Sequence, residues 1–332
     1  MADVFQYSVF GGRLASEIPF PQLRAVEPAD ADWTLRVVSE SDATDYRRER
    51  GDGSWPGTAL VGELTVLGLR IRVFSVPGGL RIDYSDTGSF DITAGGREIV
   101  WRPADGAKLE DARDCVIGRV FATVLHIQGL LCLHGSAVAI DGRAVAFLAP
   151  QFHGKSTLAL AISDSGGRLI SDDCVAVTPD ARPLVLPGVH SVRLFADSAD
   201  RLQRVALPVS DDGTAKRHVS DLADERLAFD RTPLAAIYLL APTSAMPIDE
   251  PARRTRLTGT HAAVALLSHL KVGELLGRDA THTHMMRAVT VASATPVYAL
   301  DILRDFSRLD EVVAQLNAWH GAPAREPIAA AR

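Results

Sequence analysis

The stretch that decides the fold is residues 134–177, HGSAVAIDGRAVAFLAPQFHGKSTLALAISDSGGRLISDDCVAV. Two apolar segments, 131–140 and 144–148, flank Asp141-Gly142, a dipeptide that suits the positive φ angles of a two-residue hairpin turn. They predict two antiparallel strands. A loop, a helix over about 155–163 and two further strands around 168–177 follow. The segment is thus predicted to contain four strands and one helix.

The loop between the second strand and the helix reads Ala149-Pro-Gln-Phe-His-Gly154-Lys155-Ser156-Thr157, the pattern of a phosphate-binding loop without its first glycine. In such a loop, backbone N–H groups and a helix N-terminus surround phosphate oxygens. The lysine contacts the terminal phosphates, and the next hydroxyl binds Mg²⁺. This pattern predicts a phosphate site that includes His153, Gly154, Lys155, Ser156 and Thr157. The alternative is that Gly-Lys-Ser-Thr occurs at a helix start by chance.

Two adjacent carboxylates, Asp172 and Asp173, end the next apolar run. Beside a bound triphosphate, one of them can bind Mg²⁺ and the other can accept a proton from an attacking hydroxyl. Ser-Asp-Asp is also good turn chemistry, so a solvated turn is the alternative. His134 lies on the first predicted strand, where a lone histidine is more often a core residue than a catalytic one.

From about residue 105 onward, and most clearly over 131–177, the sequence resembles the catalytic domain of HPr serine kinase/phosphorylase. The order of histidine strand, hairpin, phosphate loop and Asp-Asp strand carries this resemblance. It implies an α/β fold with an α+β mixed sheet and a P-loop core, related to that of phosphoenolpyruvate carboxykinase. The opening YSVFGGRLASEIPFPQL and the late TPVYALDILRDFSRLDEVVAQL resemble a divergent branch associated with ribosomally made peptides (RiPPs), which includes lasso-peptide precursor kinases.

The resemblance implies an ATP-dependent enzyme that transfers the γ-phosphate to a serine hydroxyl of a peptide. For the narrower branch, the acceptor would be the C-terminal residue of a lasso-type precursor. Carried over, Lys155 contacts the β- and γ-phosphates, Ser156 and Asp173 hold Mg²⁺, Asp172 is the general base, and His134 orients or polarises the aspartate. Two alternatives stay open, a nucleotide-binding regulator or scaffold without turnover and a kinase of a small hydroxylated metabolite.

One departure from the family bears on the site. The bacterial enzymes carry a second signature of the Glu-Ile-Arg-Gly-Leu-Gly type, and residues 186–194 fall near its place without a carboxylate. This leaves a second carboxylate ligand, the reverse reaction and HPr as a substrate in doubt. In the same segment, Arg193 could contact phosphate or an acidic substrate group, or lie on the surface at a strand edge.

Two further groups of residues are candidates. Lys216-Arg217-His218 could hold substrate or nucleotide, or form a solvated basic loop within a charged, loop-dominated stretch, 208–230. His282 and His284 alternate like ligands on one face of a strand, but no carboxylate or cysteine pattern accompanies them to indicate a metal site.

Residues 1–104 are predicted to form a β-rich N-terminal domain, with strands around 33–38, 64–76 and 79–84, a hairpin over 90–101 and a loop over 42–58. Residues 105–320 are predicted to form the catalytic domain. Its helices are expected over 109–129, 261–276 and 308–319, the last with Ser307 and Asp310 as a capping box. Residues 321–332 are expected to be a flexible tail.

Composition excludes several classes of protein. The 332 residues include 35 basic and 41 acidic side chains, for a net charge of −6, without the basic patch of a nucleic-acid-binding protein. Three cysteines do not make a disulfide framework or a zinc site. Residues 120–140 contain no charged side chain, but polar residues and a glycine interrupt them, so we expect no membrane partner and a cytoplasmic location. The resembled family includes homo-oligomers, so self-association stays open.

Overall fold

The computed structural model describes residues 3–38, 57–66, 68–150, 153–195, 202, 216–219, 222–243, 250–278, 280–303 and 305–321. The strands in these residues are β1 Phe5–Val9, β2 Gly12–Ser16, β3 Arg24–Ala25, β4 Trp33–Val37, β5 Ala59–Val66, β6 Leu69–Val76, β7 Gly79–Tyr84, β8 Gly88–Thr93, β9 Glu98–Pro103, β10 Leu131–Leu133, β11 Gly135–Ile140, β12 Arg143–Leu148, β13 Arg168–Ser171, β14 Val175–Val177, β15 Leu184–Val185, β16 Val192–Phe195, β17 Lys216–Val219, β18 Thr232–Thr243, β19 Ala252–Leu257 and β20 Val297–Leu303. The helices are α1 (109–127), α2 Lys155–Asp164, α3 Gly259–Leu267, α4 Thr281–Ala294 and α5 Leu309–His320.

The first nine strands form one mixed sheet in the order β3-β1-β2-β4-β9-β8-β7-β6-β5. Strand β4 runs parallel to β2 and β9, and the other neighbours are antiparallel. Ile82 of β7 and Phe90 of β8 pair across the two strands and belong to one buried core. Every second residue of a strand faces the same side of the sheet, which gives the sheet an apolar face. Phe90 faces Trp101 across the β8–β9 pair, which confirms the predicted hairpin.

Helix α1 covers the apolar face of this sheet. It confirms the predicted helix, ends at Ile127 and contains a π-helical turn, Val116–Val120. Phe121 of α1 packs edge-to-face on Trp33 of β4, with ring centroids 5.3 Å apart. The same core includes Cys132 of β10. The sheet of residues 5–103 and the start of the following segment therefore share one hydrophobic core, and the domain boundary near residue 104 stays a prediction.

The second sheet contains β12, the strand that directly precedes the predicted phosphate loop. Its order is β10-β14-β15-β18-β12-β11-β13, and β20 and β19 continue it beyond β18. Strands β12, β18 and β20 are parallel, and the remaining pairs are antiparallel, so this sheet is mixed as expected. In the β11–β12 hairpin, Asp141 and Gly142 have φ angles of 48° and 75°, which confirms the two-residue turn.

The helices lie on both faces of the second sheet. Val145 and Phe147 of β12 pack in one core with Leu158 of α2 and Leu316 of α5. The alternate residues of β12 face the other side, in the core that α3 and α4 cover. Helix α2 spans Lys155–Asp164, which confirms the helix predicted over 155–163. Among the described helices, none has the length and apolar run that crossing a membrane requires.

Three local predictions are wrong. The helix expected over 261–276 ends at Leu267, because the chain beyond it pairs with β10. Ser307 and Asp310 do not form a capping box: the Asp305 carboxylate accepts from the Ser307 backbone N–H at 2.9 Å. His282 and His284 lie on helix α4 rather than on a strand.

Several other predictions fall partly outside the described residues. Most of the 42–58 loop, residues 208–215 and the tail from 322 onward belong to this group. Residues 216–219, expected within a loop, form strand β17, which pairs with β16. The segment 120–140, which has no charged side chain, divides into the end of α1 and strands β10 and β11.

Candidate functional site

The loop between β12 and α2 ends in a left-handed glycine. Gly154 is the N-terminal cap of α2 and has a φ of 82°, a conformation that glycine adopts without strain. Lys155 begins the helix and is only 7% exposed. Its ammonium group folds back and donates to the carbonyl oxygens of Ala149 and Pro150, at 2.8 and 2.9 Å. The lysine charge is therefore held at the loop, beside the N-terminus of α2.

Asp172 follows strand β13 and is 4% exposed. The Ser156 hydroxyl, in the first turn of α2, donates to both of its carboxylate oxygens, at 2.9 and 3.0 Å. The Ser136 hydroxyl on β11 donates to Oδ1 at 2.5 Å. A buried carboxylate is stable only when its oxygens have such partners. The structure thus joins the hydroxyl of the predicted phosphate loop to the first of the two aspartates.

Asp173 turns its carboxylate to different partners. Its φ of 68° is in the left-handed region, which few residues other than glycine, asparagine and aspartate adopt. The Lys271 ammonium lies 2.6 Å from its Oδ2, and His134 Nδ1 lies 3.3 Å from its Oδ1. His134 Nδ1 is also 3.2 Å from the Asp173 carbonyl oxygen. The two adjacent carboxylates therefore have separate sets of partners.

Burial controls protonation in this region. It lowers the pKa of His134 below its usual value, although the hydrogen bond to Asp173 opposes the shift. Burial and the neighbouring His134 and Lys155 lower the pKa of His269 to about 4. Burial also lowers the pKa of the Lys271 ammonium, and the Asp173 carboxylate opposes that change. Both histidines are therefore neutral near pH 7.

Among the other predicted site residues, His153 and Thr157 are half-buried on either side of Gly154. Arg193, Lys216 and Arg217 lie on the β16–β17 ladder, in which Arg193 faces His218 and Lys216 faces Phe195. Strand β16 packs against α2, and the buried Leu194 shares the core of that helix. The β16–β17 pair, which contains these three basic residues, therefore lies against α2 through strand β16.

The second histidine group lies elsewhere in the structure. His284 Nε2 is 3.1 Å from His126 Nδ1, and the Arg287 guanidinium donates to the His126 carbonyl oxygen at 2.9 Å. Arg287 also donates to the Leu130 carbonyl oxygen at 3.0 Å, beyond the end of α1. Over the described parts of the chain, no three His, Cys, Asp or Glu side chains cluster as metal ligands. This histidine pair joins α4 to α1.

The segment 186–194 contacts strand β13 and the backbone of Asp172. The Gly188 N–H donates to the Ile170 carbonyl oxygen at 2.9 Å, and the Asp172 N–H donates to the Val189 carbonyl oxygen at 3.2 Å. A Cβ added at Gly188 would lie 2.1 Å from Ser171 Oγ and 3.0 Å from the Phe10 ring. The segment supports the backbone of Asp172 and contributes no carboxylate.

The residues present fit an Mg²⁺ site in which the protein supplies only a few of the ligands. Mg²⁺ is usually bound by one or two carboxylates together with substrate phosphates and water. The Ser156 hydroxyl and the Asp172 carboxylate already lie side by side next to the loop. These two side chains are the ones that would hold the ion, and its chemistry there would be to neutralise charge on bound phosphates.

Sequence reasoning missed two residues of the site, Ser136 and Lys271. Ser136 has no local sequence signal, because its place beside Asp172 depends on the register in which Ala137 of β11 pairs with Ser171 of β13. The composition of the sequence around Lys271 could have marked it as a residue with a buried partner. Only four of the 35 basic residues are lysines, and Lys271 is one that lies in an apolar segment, where a cation needs a partner.

Comparisons with known proteins find similarity among solved structures alone. No protein-family model matches the chain, and no curated protein matches it. Among solved structures, the chain is similar to the HPr(Ser) kinase/phosphatase from Coxiella burnetii. That match has 14% sequence identity and a TM-score of 0.29, and it covers 57% of this chain and 95% of the other.

Proposed function

We propose that the protein is an ATP- and Mg²⁺-dependent kinase that phosphorylates a serine hydroxyl of a peptide. One observation carries the proposal. The hydroxyl that follows the loop lysine, Ser156, donates to both oxygens of the buried Asp172 carboxylate at the N-terminus of α2. The Ser156–Asp172 pair, the Lys155 ammonium and the backbone N–H groups at the start of α2 lie next to one another, and together they support phosphoryl transfer, which needs groups of these kinds.

We propose a division of labour between the two aspartates that is the reverse of the one the family resemblance implies. Asp172 is assigned to the metal, because it is buried and already shares the Ser156 hydroxyl. Asp173 is assigned to the acceptor, because its side chain is 24% exposed and His134 and Lys271 hold its oxygens. A carboxylate held in this way can orient an incoming hydroxyl and accept its proton.

The reaction then proceeds by in-line displacement. The acceptor oxygen forms a bond to the γ-phosphorus as the bond to the β-phosphate oxygen breaks, which releases ADP. The hydroxyl proton passes to the Asp173 carboxylate and from there to solvent. The Lys155 ammonium leaves the carbonyl oxygens of its own loop to contact the phosphates. Positioning and charge stabilisation account for most of the rate in such a transfer, so little covalent chemistry is required of the protein.

The peptide acceptor is the finer part of the proposal, and a lasso-type precursor is its specific form. The protein would be incubated with γ-labelled ATP, Mg²⁺, precursor peptides and small hydroxylated metabolites, and the products would be identified by mass spectrometry. Phosphoserine on a peptide supports the proposal. Label on a small molecule would favour the metabolite kinase, and tight ATP binding without turnover would favour the regulator.

The variant Lys155→Ala tests whether the loop carries the activity. Its phosphopeptide yield should fall below detection, because the ammonium that would contact the phosphates is removed. Lys108→Ala is the matched control, since Lys108 is the N-terminal cap residue of α1, the helix that packs on the N-terminal sheet. Undiminished transfer by a folded Lys155→Ala protein would overturn the proposal.

A further inference from the structure

Lys271 reaches Asp173 from a segment that is distant in sequence and fixed by backbone hydrogen bonds. The His134 N–H donates to the His269 carbonyl oxygen at 2.7 Å, and the Lys271 N–H donates to the Cys132 carbonyl oxygen at 3.0 Å. Leu270 forms an antiparallel bridge with Leu133 between them. Residues 269–271 therefore act as a short extra strand beside β10, and this pairing sets the position of Lys271 relative to His134.

The lysine side chain lies almost wholly inside the protein. It is 8% exposed, and its ammonium group is 2.6 Å from Asp173 Oδ2. A buried ammonium is costly unless an anion faces it, and removing one partner of such a pair leaves an uncompensated charge. The rigid backbone on one side and the carboxylate on the other leave the pair little freedom. Lys271 thus fixes one oxygen of Asp173, while His134 lies beside the other.

We infer that Lys271 is a positioning residue that holds the Asp173 carboxylate in place for the acceptor hydroxyl. The inference rests on the proposed kinase function and on the assignment of Asp173 to the acceptor. Two features of the structure support a positioning role for Lys271. The lysine contacts the aspartate directly, and Asp173 has a left-handed backbone that its side-chain partners must help to maintain. Lys155, by contrast, lies at the phosphate loop.

The test is a double-mutant cycle on the full chain with Lys271→Met and Asp173→Asn, and with Lys108→Met as the matched lysine control. The readout is ADP formed from Mg·ATP with the acceptor on which the wild-type protein is active. We expect Lys271→Met to lower kcat about 100-fold, the effect of displacing a reacting group by about 1 Å. The KM for ATP should change less than about threefold, because the phosphate loop is intact.

The cycle also asks whether the lysine acts through the aspartate. In the Asp173→Asn background, Lys271→Met should have little further effect on kcat, because the carboxylate to be positioned is already gone. If the fold-losses in kcat of the two single variants multiply in the double variant, Lys271 acts independently of Asp173, and the inference is overturned. A raised KM for ATP with kcat retained would also overturn it, since the lysine would then bind nucleotide.

Two controls separate the possible failures. Lys271→Arg keeps the charge and should recover part of the activity lost in Lys271→Met. Equal losses in the two variants, both folded by circular dichroism, would contradict a role based on the ion pair. If the wild-type protein binds ATP but phosphorylates no acceptor, the proposed function itself fails, and the inference fails with it. If the wild type is active and Lys271→Met keeps its kcat, only the inference fails.

Discussion

Gly188→Ala should destabilise the protein and reduce its activity together. The added Cβ would lie 2.1 Å from Ser171 Oγ and 2.8 Å from Ser171 Cβ, and both distances are too short for non-bonded atoms. Ser171 cannot easily turn away, because its hydroxyl donates to the Cys174 carbonyl oxygen at 2.6 Å. On the other side the Cβ would lie 3.0 Å from the buried Phe10 ring. The backbone of one of the two segments must therefore move.

The cost follows from overpacking in a site that cannot expand. Extra methyl groups in a tightly packed core typically cost 1–3 kcal/mol, and contact with neighbours on two sides places Gly188→Ala near the upper end, about 3 kcal/mol. A shift of the segment also lengthens the bond from the Asp172 N–H to the Val189 carbonyl oxygen, now 3.2 Å. We therefore expect kcat to fall at least about tenfold, because Asp172 is displaced from Ser156.

Urea unfolding followed by circular dichroism measures the stability, and ADP formation measures the activity. Gly95→Ala is the matched control, because nothing lies within 4 Å of a Cβ at that position, and its free energy of unfolding should change by less than about 0.5 kcal/mol. Gly188→Ala with the stability of the wild-type protein would refute the close approach of the two segments. A destabilised but fully active variant would refute the link to Asp172.

Three further predictions concern the site, the histidines and a half-buried thiol. Ser136→Ala removes the 2.5 Å hydrogen bond to Asp172 and should lower kcat about tenfold with unchanged ATP affinity, which steady-state kinetics would show and equal kcat would contradict. Burial lowers the pKa values of His126 and His269 in the folded protein to about 3 and about 4. Below pH 6.5 these histidines therefore bind protons in the unfolded chain but stay neutral in the folded protein. Stability should then fall between pH 6.5 and 4, by up to about 1 kcal/mol per histidine at pH 5.5 allowing for partial exposure, and His126→Gln should flatten the profile of urea midpoints. Burial raises the pKa of the Cys115 thiol, so iodoacetamide at pH 8 should alkylate Cys115 in urea but not in the native protein, as read by mass spectrometry.

Local sequence signals determined the elements around the loop. The Asp141-Gly142 turn and the helix from Lys155 depend on residues next to each other in the chain, so composition and spacing were enough to predict them. His282 and His284 misled because two alternating residues resemble a strand. The longer pattern is helical: His284, Ala288 and Val291 are the buried residues of α4, at steps of four and three.

The missing parts of the site depend on contacts between distant segments. Helix α3 ends at Leu267 because the next residues pair with β10, and no local signal marks that point. The same pairing brings Lys271 to Asp173, across 98 residues of sequence. Ser136 is closer in sequence, but its hydrogen bond to Asp172 depends on the register of β11 against β13, including the irregularity after Ala137. Register of this kind is set by the whole sheet.

The N-terminal sheet supports the candidate site, although it contributes none of the residues assigned to chemistry. Phe10, in the turn between β1 and β2, is fully buried and faces the position where Gly188 would carry a Cβ. Gly188 in turn packs on Ser171, and its neighbour Val189 accepts the Asp172 N–H. A chain of direct contacts thus runs from the first hairpin to the buried carboxylate. Because packed interiors are close to incompressible, a change at Phe10 is transmitted to the site rather than absorbed locally. The β-rich segment is therefore part of what fixes the geometry of the aspartates.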